Sequence, residues 1–403
     1  MEAILEKLSI DKSTWTLVKL GDVVAEPKEN AKDLQAEGVD KVVGLEHIDT
    51  EDVHLRRFAG LEDSTTFTKK FRKGDILFGR RRAYLKKAAQ APFSGICSGD
   101  ITVLRAKKGI LPELLPFVIC NDKFFDYAVK HSAGGLSPRV KFKDLANYEF
   151  LLPPKEQQAQ LAELLWAMDE VIEKEKTVLE RLRIALFSRV ENEMHGLTLK
   201  GKTISNVIEE ISGKNEIIKL EKLGNLLKGK GIPKSEVKDA GIPCVRYGEL
   251  YTKHNRIIRE YHSYISESKK NSSIKLEKDD VLFAGSGETI VEIGKSAAFV
   301  DDTEVYVGSD TIVFRPFDMD GYFSGYLMNS ILVRQQLNKY GTGATVMHIY
   351  NSDIAKIKVP KISRVDQVKI GMKLERISVN ILKLERQIIE SNVLQKSLIN
   401  QIF

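Results

Sequence analysis

The chain has 403 residues, of which 42% are hydrophobic and 29% charged; that is the balance of a globular protein too long for one core, so two or more domains are expected. No apolar run reaches the ~20 residues that span a bilayer, and the N-terminus has neither the basic flank nor the apolar stretch of a secretory signal. Cys97, Cys120 and Cys244 lack the spacing of a zinc site or a disulfide framework, which leaves a cytoplasmic protein without a membrane or metal role as the expectation.

The net charge of +6 is unevenly spread. Between His54 and Lys87, Arg56, Arg57, Lys69, Lys70, Arg72, Lys73, Arg80, Arg81, Arg82, Lys86 and Lys87 face only Glu62, Asp63 and Asp75. Such a concentration favours a polyanion, although a solvated face balanced elsewhere in the fold has the same composition. Residues 15–153 read as mixed α/β, with strands at 75–78 and 101–104. One helix is expected over 112–130, followed by the loop Gly134-Gly135-Leu136-Ser137-Pro138-Arg139.

After Pro153-Pro154 the texture changes. Residues 155–194 contain no proline or glycine, and Leu161, Leu164, Met168, Val171, Glu175, Val178, Leu182 and Ala185 alternate in steps of three and four. A second row, Leu165, Ile172, Leu179 and Leu186, recurs every seven residues. This predicts a long helix with a heptad seam, interrupted at Glu175 and ended by Gly196. Residues 197–217 read as a connector. A second globular unit follows over 218–360, with a helix near 322–338 and a glycine loop at 341–348. In the last segment Ile370, Leu374, Ile377, Ile381, Leu384, Ile388, Ser391, Gln395, Leu398 and Ile402 form another heptad helix. The chain thus divides into a first globular unit (1–153), a central helix (154–196), a connector (197–217), a second globular unit (218–360) and a C-terminal helix (361–403).

The second half repeats the first. Leu20-Gly21-Asp22-Val23 returns as Leu223-Gly224-Asn225-Leu226, and Gly74-Asp75-Ile76-Leu77-Phe78 as Asp279-Asp280-Val281-Leu282-Phe283. Asp100-Ile101-Thr102-Val103-Leu104-Arg105 returns as Asp310-Thr311-Ile312-Val313-Phe314-Arg315, and Asp144-Leu145-Ala146 as Asp353-Ile354-Ala355. A period this long is a duplicated domain with its appended helix, not a solenoid repeat. The simplest partner for each helix is the other one. The expected fold is therefore α+β: two similar α/β units, joined and separated by two long helices in an antiparallel coiled coil, with a pseudo-twofold internal repeat.

Motifs for catalysis are imitations. Phe283-Ala284-Gly285-Ser286-Gly287 resembles the loop that holds S-adenosylmethionine in methyltransferases, but the accompanying (N/D)PP(Y/F) tetrapeptide is missing. Gly287 to Gly294-Lys295-Ser296 resembles a P-loop, but six residues rather than four separate the glycines. A non-enzymatic, two-lobed, nucleic-acid-binding protein is expected.

In order, duplication and appended helices, the chain resembles the specificity (S) subunits of Type I restriction-modification systems. The motifs that carry this are Lys73-Gly74-Asp75-Ile76-Leu77-Phe78, Leu45-Glu46-His47-Ile48 and the helix-opening Pro153-Pro154-Lys155-Glu156-Gln157-Gln158, which the second copy replaces with Lys361-Ile362-Ser363-Arg364-Val365-Asp366-Gln367. The resemblance implies two target recognition domains, each reading half of a bipartite, asymmetric double-stranded DNA target. It also implies two methyltransferase (M) subunits docked on the helices, which carry S-adenosylmethionine and the adenine-N6 chemistry, and restriction (R) subunits that join them. No cofactor is expected in this chain itself. The alternative is a stand-alone DNA-binding or scaffold protein of the same fold.

The copies diverge just after their best-matched strand, where Arg80-Arg81-Arg82-Ala83-Tyr84 stands opposite Gly285-Ser286-Gly287-Glu288-Thr289. This makes Arg80, Arg81, Arg82, Tyr84 and Ser286 candidate DNA contacts, the arginines to guanine O6/N7 or to phosphate. Lys86 and Lys87 are candidates for phosphate or are solvated charges. Ser137 and Arg139 in the first glycine loop, Lys141 just after it, Thr342 and Thr345 in the second, and Arg246 and Tyr247 complete the expected interface.

Overall fold

The computed structural model describes residues 10–63, 66–195, 216–289, 292–343 and 346–403. It divides into two compact units, one of residues up to Thr177 plus Arg386–Phe403, the other of Val178–Glu385. Most of the expected connector 197–217, and Thr345, lie outside the described residues.

The first unit contains β1 (Thr16–Lys19), α1 (Leu20–Val23), β2 (Val24–Ala25), β3 (Val42–Val43), β4 (Lys69–Phe71), β5 (Ile76–Gly79), β6 (Ala88–Gln90), β7 (Gly95–Cys97), β8 (Ile101–Ala106), α2 (Leu115–Ile119), α3 (Asp122–Lys130), α4 (Phe142–Leu145), β9 (Glu149–Leu152) and the first part of α5 (Lys155–His195). Its main sheet has the order β2-β8-β5-β6, and a smaller sheet β3-β7-β4. Strand β5 is apolar throughout and β8 is buried from Ile101 to Leu104, Thr102 included, because both of their faces are covered. Alternate residues point opposite ways along a strand. Ile76, Phe78 and Leu104 enter a core with Phe117, Phe124 and Phe125 of the helices, whereas Leu77, Ile101 and Val103 enter a second core with Val43, Phe71 and Cys97 of the smaller sheet.

The second unit repeats this plan with β10 (Ile217–Lys219), β11 (Gly224–Lys228), β12 (Ile242–Val245), α6 (Glu249–Thr252), β13 (Arg256–Ile257), β14 (Ser263–Ile265), β15 (Ile274–Lys275), β16 (Val281–Ala284), β17 (Ser286–Gly287), β18 (Ser296–Ala298), β19 (Tyr306–Val307), β20 (Thr311–Pro316), α7 (Gly321–Leu327), α8 (Ile331–Tyr340), β21 (Met347–His348), α9 (Asn351–Ile354), β22 (Lys358–Pro360) and the first part of α10 (Arg364–Ile402). The sheet orders β11-β20-β16-β18-β13 and β14-β12-β19-β15 extend those of the first unit by one strand each. Around β16 the pairing is antiparallel on both sides, unlike the parallel sheet that a nucleotide-binding glycine loop requires.

The repeated motifs are the skeleton of the fold. Arg105, at the end of β8, donates from Nε and Nη2 to the two oxygens of buried Asp75, both at 2.7 Å. Arg315, at the end of β20, does the same to buried Asp280 at 3.0 and 2.8 Å. The two long helices also begin alike. Gln158 accepts from the Leu111 N–H and donates to the Pro153 carbonyl, and Gln367 accepts from the Asp320 N–H and donates to the Ile362 carbonyl. The departure of the second copy from Pro-Pro-Lys-Glu-Gln-Gln is thus confined to the residues around this glutamine.

Three expectations are corrected. The single helix at 112–130 is two, α2 and α3, because the Asn121 side chain accepts from the Phe124 N–H at 2.8 Å and caps a new start. The helix near 322–338 is likewise α7 and α8, separated around Ser330. The seam of α5 holds at Leu161 and Met168, which pack against the core, but its other half shifts by one position. Leu165, Ile172, Leu179 and Leu186 are buried, whereas Leu164, Val171 and Val178 are 43%, 52% and 47% exposed. Both rows recur every seven residues, so the period could not choose between them. Docking onto the first unit's core, which Ala162 and Leu165 join, makes the choice. On α10 the expected row holds: Leu374, Ile381, Ile388, Leu398 and Ile402 are buried.

In each unit the helices run antiparallel. In the first, Gln395 donates to the Leu165 carbonyl at 3.2 Å, and Leu398, Ile399, Ile402 and Phe403 join the globular core. In the second, Arg183 pairs with Glu385 at 2.7 Å and Lys373 with Glu193. Beside the seam, buried Asp169 of α5 places its Oδ2 2.7 Å from His54 Nε2. That contact, outweighing burial, raises the His54 pKa. A raised imidazole pKa stabilises the fold below the unfolded value of ~6.5 and loses that contribution as pH rises through the folded value. The thermal midpoint of the wild type should therefore fall over this range relative to His54→Asn. Parallel pH profiles would remove the role given to this pair.

Candidate nucleic-acid interface

The structure brings together the two loops that the sequence nominates separately, and it does so in both units with one backbone frame. In the first unit the Arg80 N–H donates to the Asp100 carbonyl at 2.9 Å, and the Val140 N–H to the Arg80 carbonyl at 3.0 Å. In the second, the Gly285 N–H donates to the Asp310 carbonyl at 2.8 Å, and the Ile349 N–H to the Gly285 carbonyl at 3.0 Å. The glycine loops close alike, by the bridges Ala133↔Arg139 and Thr342↔His348. Each starts from a glycine in a conformation other residues rarely adopt, Gly134 at φ 120 and Gly343 at φ 138.

The side chains on the two frames differ. In the first unit Arg81 donates from Nη1 to Asp100 at 3.3 Å and from Nη2 to Ser137 Oγ at 3.1 Å. Arg82 reaches the same Ser137 Oγ at 3.4 Å. Arg139 donates from Nε to Asp100 Oδ1 at 2.7 Å and from Nη2 to Oδ2 at 3.4 Å. The Arg139 contact, followed by that of Arg81, holds the Asp100 carboxyl below its ordinary range. Arg82 and Lys86 flank the turn Ala83–Leu85 in the left-handed region, at φ 54 and 48. Such backbone costs of the order of 1–3 kcal/mol per residue and gathers where a loop must present side chains. The Arg82 N–H is pinned on the Pro138 carbonyl at 2.8 Å.

Tyr84 is exposed on this turn, and Lys141 is exposed just before α4. Arg80 is half-buried, with no hydrogen-bond partner for its Nε. The two lysines are engaged within the fold: Lys86 pairs with Asp122 at 2.5 Å and Glu51 at 3.4 Å, and Lys87 donates to the Leu45 carbonyl at 2.7 Å.

In the second unit, Ser286 Oγ lies 3.0 Å from His348 Nδ1, and Thr342 is exposed on the closing bridge. A concavity of about 450 Å³ lies beside them, lined by Tyr247, Tyr251, Ser286, Glu288 and Val346 among others. Tyr251 donates to the Ser286 carbonyl at 2.9 Å, and burial pushes its hydroxyl pKa up to about 12. Arg246 does not join this lining; its Nε lies 3.5 Å from Glu249 Oε1. The sequence reading missed Asp100 and His348. Asp100 opens a strand motif that matches its copy, and that agreement pointed to fold rather than to a site.

A model of the Type I restriction modification DNA specificity domain matches the chain twice, over residues 12–183 and 213–391. The chain belongs to this family. As a Type I specificity subunit it is the DNA-selecting, non-catalytic member of a restriction-modification complex. It is 23% identical over 302 residues to the Type I restriction enzyme MjaVIII specificity subunit of Methanocaldococcus jannaschii, covering 73% of this chain and 69% of that protein. It is 31% identical to the Escherichia coli EcoDI specificity subunit over 119 residues, 28% of this chain and 26% of that one. The fold is shared with the Type-I restriction-modification S subunit from M. genitalium (TM-score 0.62, 15% identity, 98% of this chain and 97% of the other). It is shared too with a chain from a structure of type I R-M complex assembly and conformational transition (TM-score 0.56, 19% identity, 96% of each chain). Among the described residues, no helix of this specificity subunit is long and apolar enough to cross a membrane.

Proposed function

We propose that the two units each read one half of a bipartite, asymmetric DNA target, and that the paired helices dock two methyltransferase subunits. Those partners hold S-adenosylmethionine and methylate adenine N6, and restriction subunits join the complex to cleave. The observation that carries this reading is the shared loop frame with unlike side chains: guanidinium donors in the first unit, a Ser286–His348 pair in the second. One scaffold with two fillings suits two different half-sites, since base edges are distinguished by their donors and acceptors.

Expressing the chain with the methyltransferase gene beside it, followed by single-molecule methylome sequencing, tests this. One bipartite adenine-methylated motif is expected; a continuous palindrome, or no motif, would count against it. A chain that bound DNA tightly alone and formed no complex would return the stand-alone alternative.

Support for docking on the helices comes from apolar residues outside the seam, among them Phe187 on α5, 54% exposed, and Met372 on α10, 65% exposed. Ile184, 60% exposed, lies one helical turn from Phe187, and exposed apolar side chains that cluster mark interaction surfaces. Phe187→Asp should lower co-purification of the methyltransferase at least ten-fold while leaving the melting curve of the isolated chain unchanged. Full recovery of the complex would remove this face from the docking surface.

A further inference from the structure

We propose that Arg139, buttressed by Asp100, reads a guanine in the half-site taken by the first unit, and that Asp100 is the positioning residue for that contact; this rests on the two-unit DNA reading above. A guanidinium carries five N–H donors in a planar fork. Asp100 takes the Nε/Nη2 edge of Arg139 side-on. The end-on pair, one N–H each from Nη1 and Nη2, is left over, on a side chain 44% exposed. That edge has the spacing of the O6 and N7 acceptors of guanine in the major groove.

The neighbouring arginines are less suited to the task. Arg81 has already placed Nη1 on Asp100 and Nη2 on Ser137, so its end-on edge is spent within the fold. Arg82 is exposed and tied only loosely, through Nη2 to Ser137 at 3.4 Å; phosphate suits it better.

Arg139 is rigidly mounted. Its backbone bridges both Arg81 and Ala133, and the backbone of Asp100, whose carboxylate holds the Arg139 side chain, is anchored in turn, its N–H donating to Ser98 Oγ at 3.2 Å and its carbonyl accepting from the Arg80 N–H at 2.9 Å. Mounting a reading group on paired backbone reduces the ordering it must undergo on binding. The charge balance argues in the same direction. One carboxylate shared by two guanidinia cancels half of their charge, which weakens a phosphate clamp but leaves directional donors for a base edge. In the second unit the equivalent position is His348, held by Ser286, so the same reading is not built there.

The test uses the full chain in complex with its methyltransferase subunits. Wild type, Arg139→Ala, Arg139→Lys and Asp100→Asn are compared by methylome sequencing and by binding to targets carrying guanine or 7-deazaguanine, which lacks the N7 acceptor. Wild type should prefer guanine at one position about ten- to a hundred-fold and lose that preference with 7-deazaguanine. All three variants should lose the preference at that position, lysine included, because an ammonium cannot pair bidentately. The half-site read by the second unit should stay unchanged in every variant, which shows that they are folded.

The proposal is overturned if Arg139→Ala weakens every target equally, with guanine selectivity intact and the salt dependence reduced by about one charge, the signature of a phosphate contact. It is also overturned if 7-deazaguanine has no effect on the wild type. A wild-type complex that yields no bipartite motif would refute the broader reading instead.

Discussion

Arg315→Ala is expected to destabilise the second unit by about 3–5 kcal/mol, seen as a lower urea midpoint. The Arg315 guanidinium lies side-on to Asp280, whose side chain is fully buried, and also donates to the Lys275 carbonyl at 2.9 Å. Truncation leaves the carboxylate in the interior, with the Glu277 N–H at 2.8 Å among its remaining donors. Burial already pushes the Asp280 pKa up despite Arg315, so the variant carboxyl should titrate higher still. A raised carboxyl pKa favours folding of the protonated form. The deficit should therefore be largest at neutral pH and shrink as acid neutralises Asp280. Arg105→Ala should likewise lower the urea midpoint of the first unit at pH 7, since it leaves buried Asp75 without its paired guanidinium. A variant with an unchanged midpoint at pH 7 would show that this repeated pair does not hold the sheet.

Replacing Arg80, Arg81 and Arg82 together with alanine is expected to weaken methylation through the first half-site by at least ~2 kcal/mol, since each good bidentate base contact is worth about 1–3 kcal/mol. Arg82 is exposed, and Arg81 holds Asp100 and Ser137 in place. The variant thus removes both a group facing solvent and part of the support for Arg139. Binding measured against salt separates the two. A lost phosphate contact flattens the salt slope for all sequences, while lost support relaxes selectivity at one position. Wild-type binding and an unchanged motif would exclude the loop from the interface.

Much of this was legible in the chain. The repeated Asp75–Arg105 and Asp280–Arg315 motifs agree between copies because a buried carboxylate tolerates no unpaired state, so both ends of the pair must be retained. The divergence after Phe78 and Phe283 marks the place where the frame is shared and its filling is not. Less was legible in α5, where Leu164, Val171 and Val178 recur with the same period as Leu165, Ile172 and Leu179. The break at Asn121 was hidden because Phe124 and Phe125 continue a helical apolar pattern across it. Lys86 neighbours the basic loop in sequence, yet its partners Asp122 and Glu51 lie 36 and 35 positions away along the chain.

Duplication, helix length, heptad period and the positions of loops are properties of neighbouring residues, and the order of amino acids settles them. The face of α5 that turns inward joins Leu165 to Gln395, 230 positions away, and the convergence of Arg81, Ser137, Arg139 and Asp100 on one point joins residues up to 58 positions apart. Those depend on which surfaces bury most apolar area and satisfy most polar groups when the whole chain packs, and no local pattern carries that information.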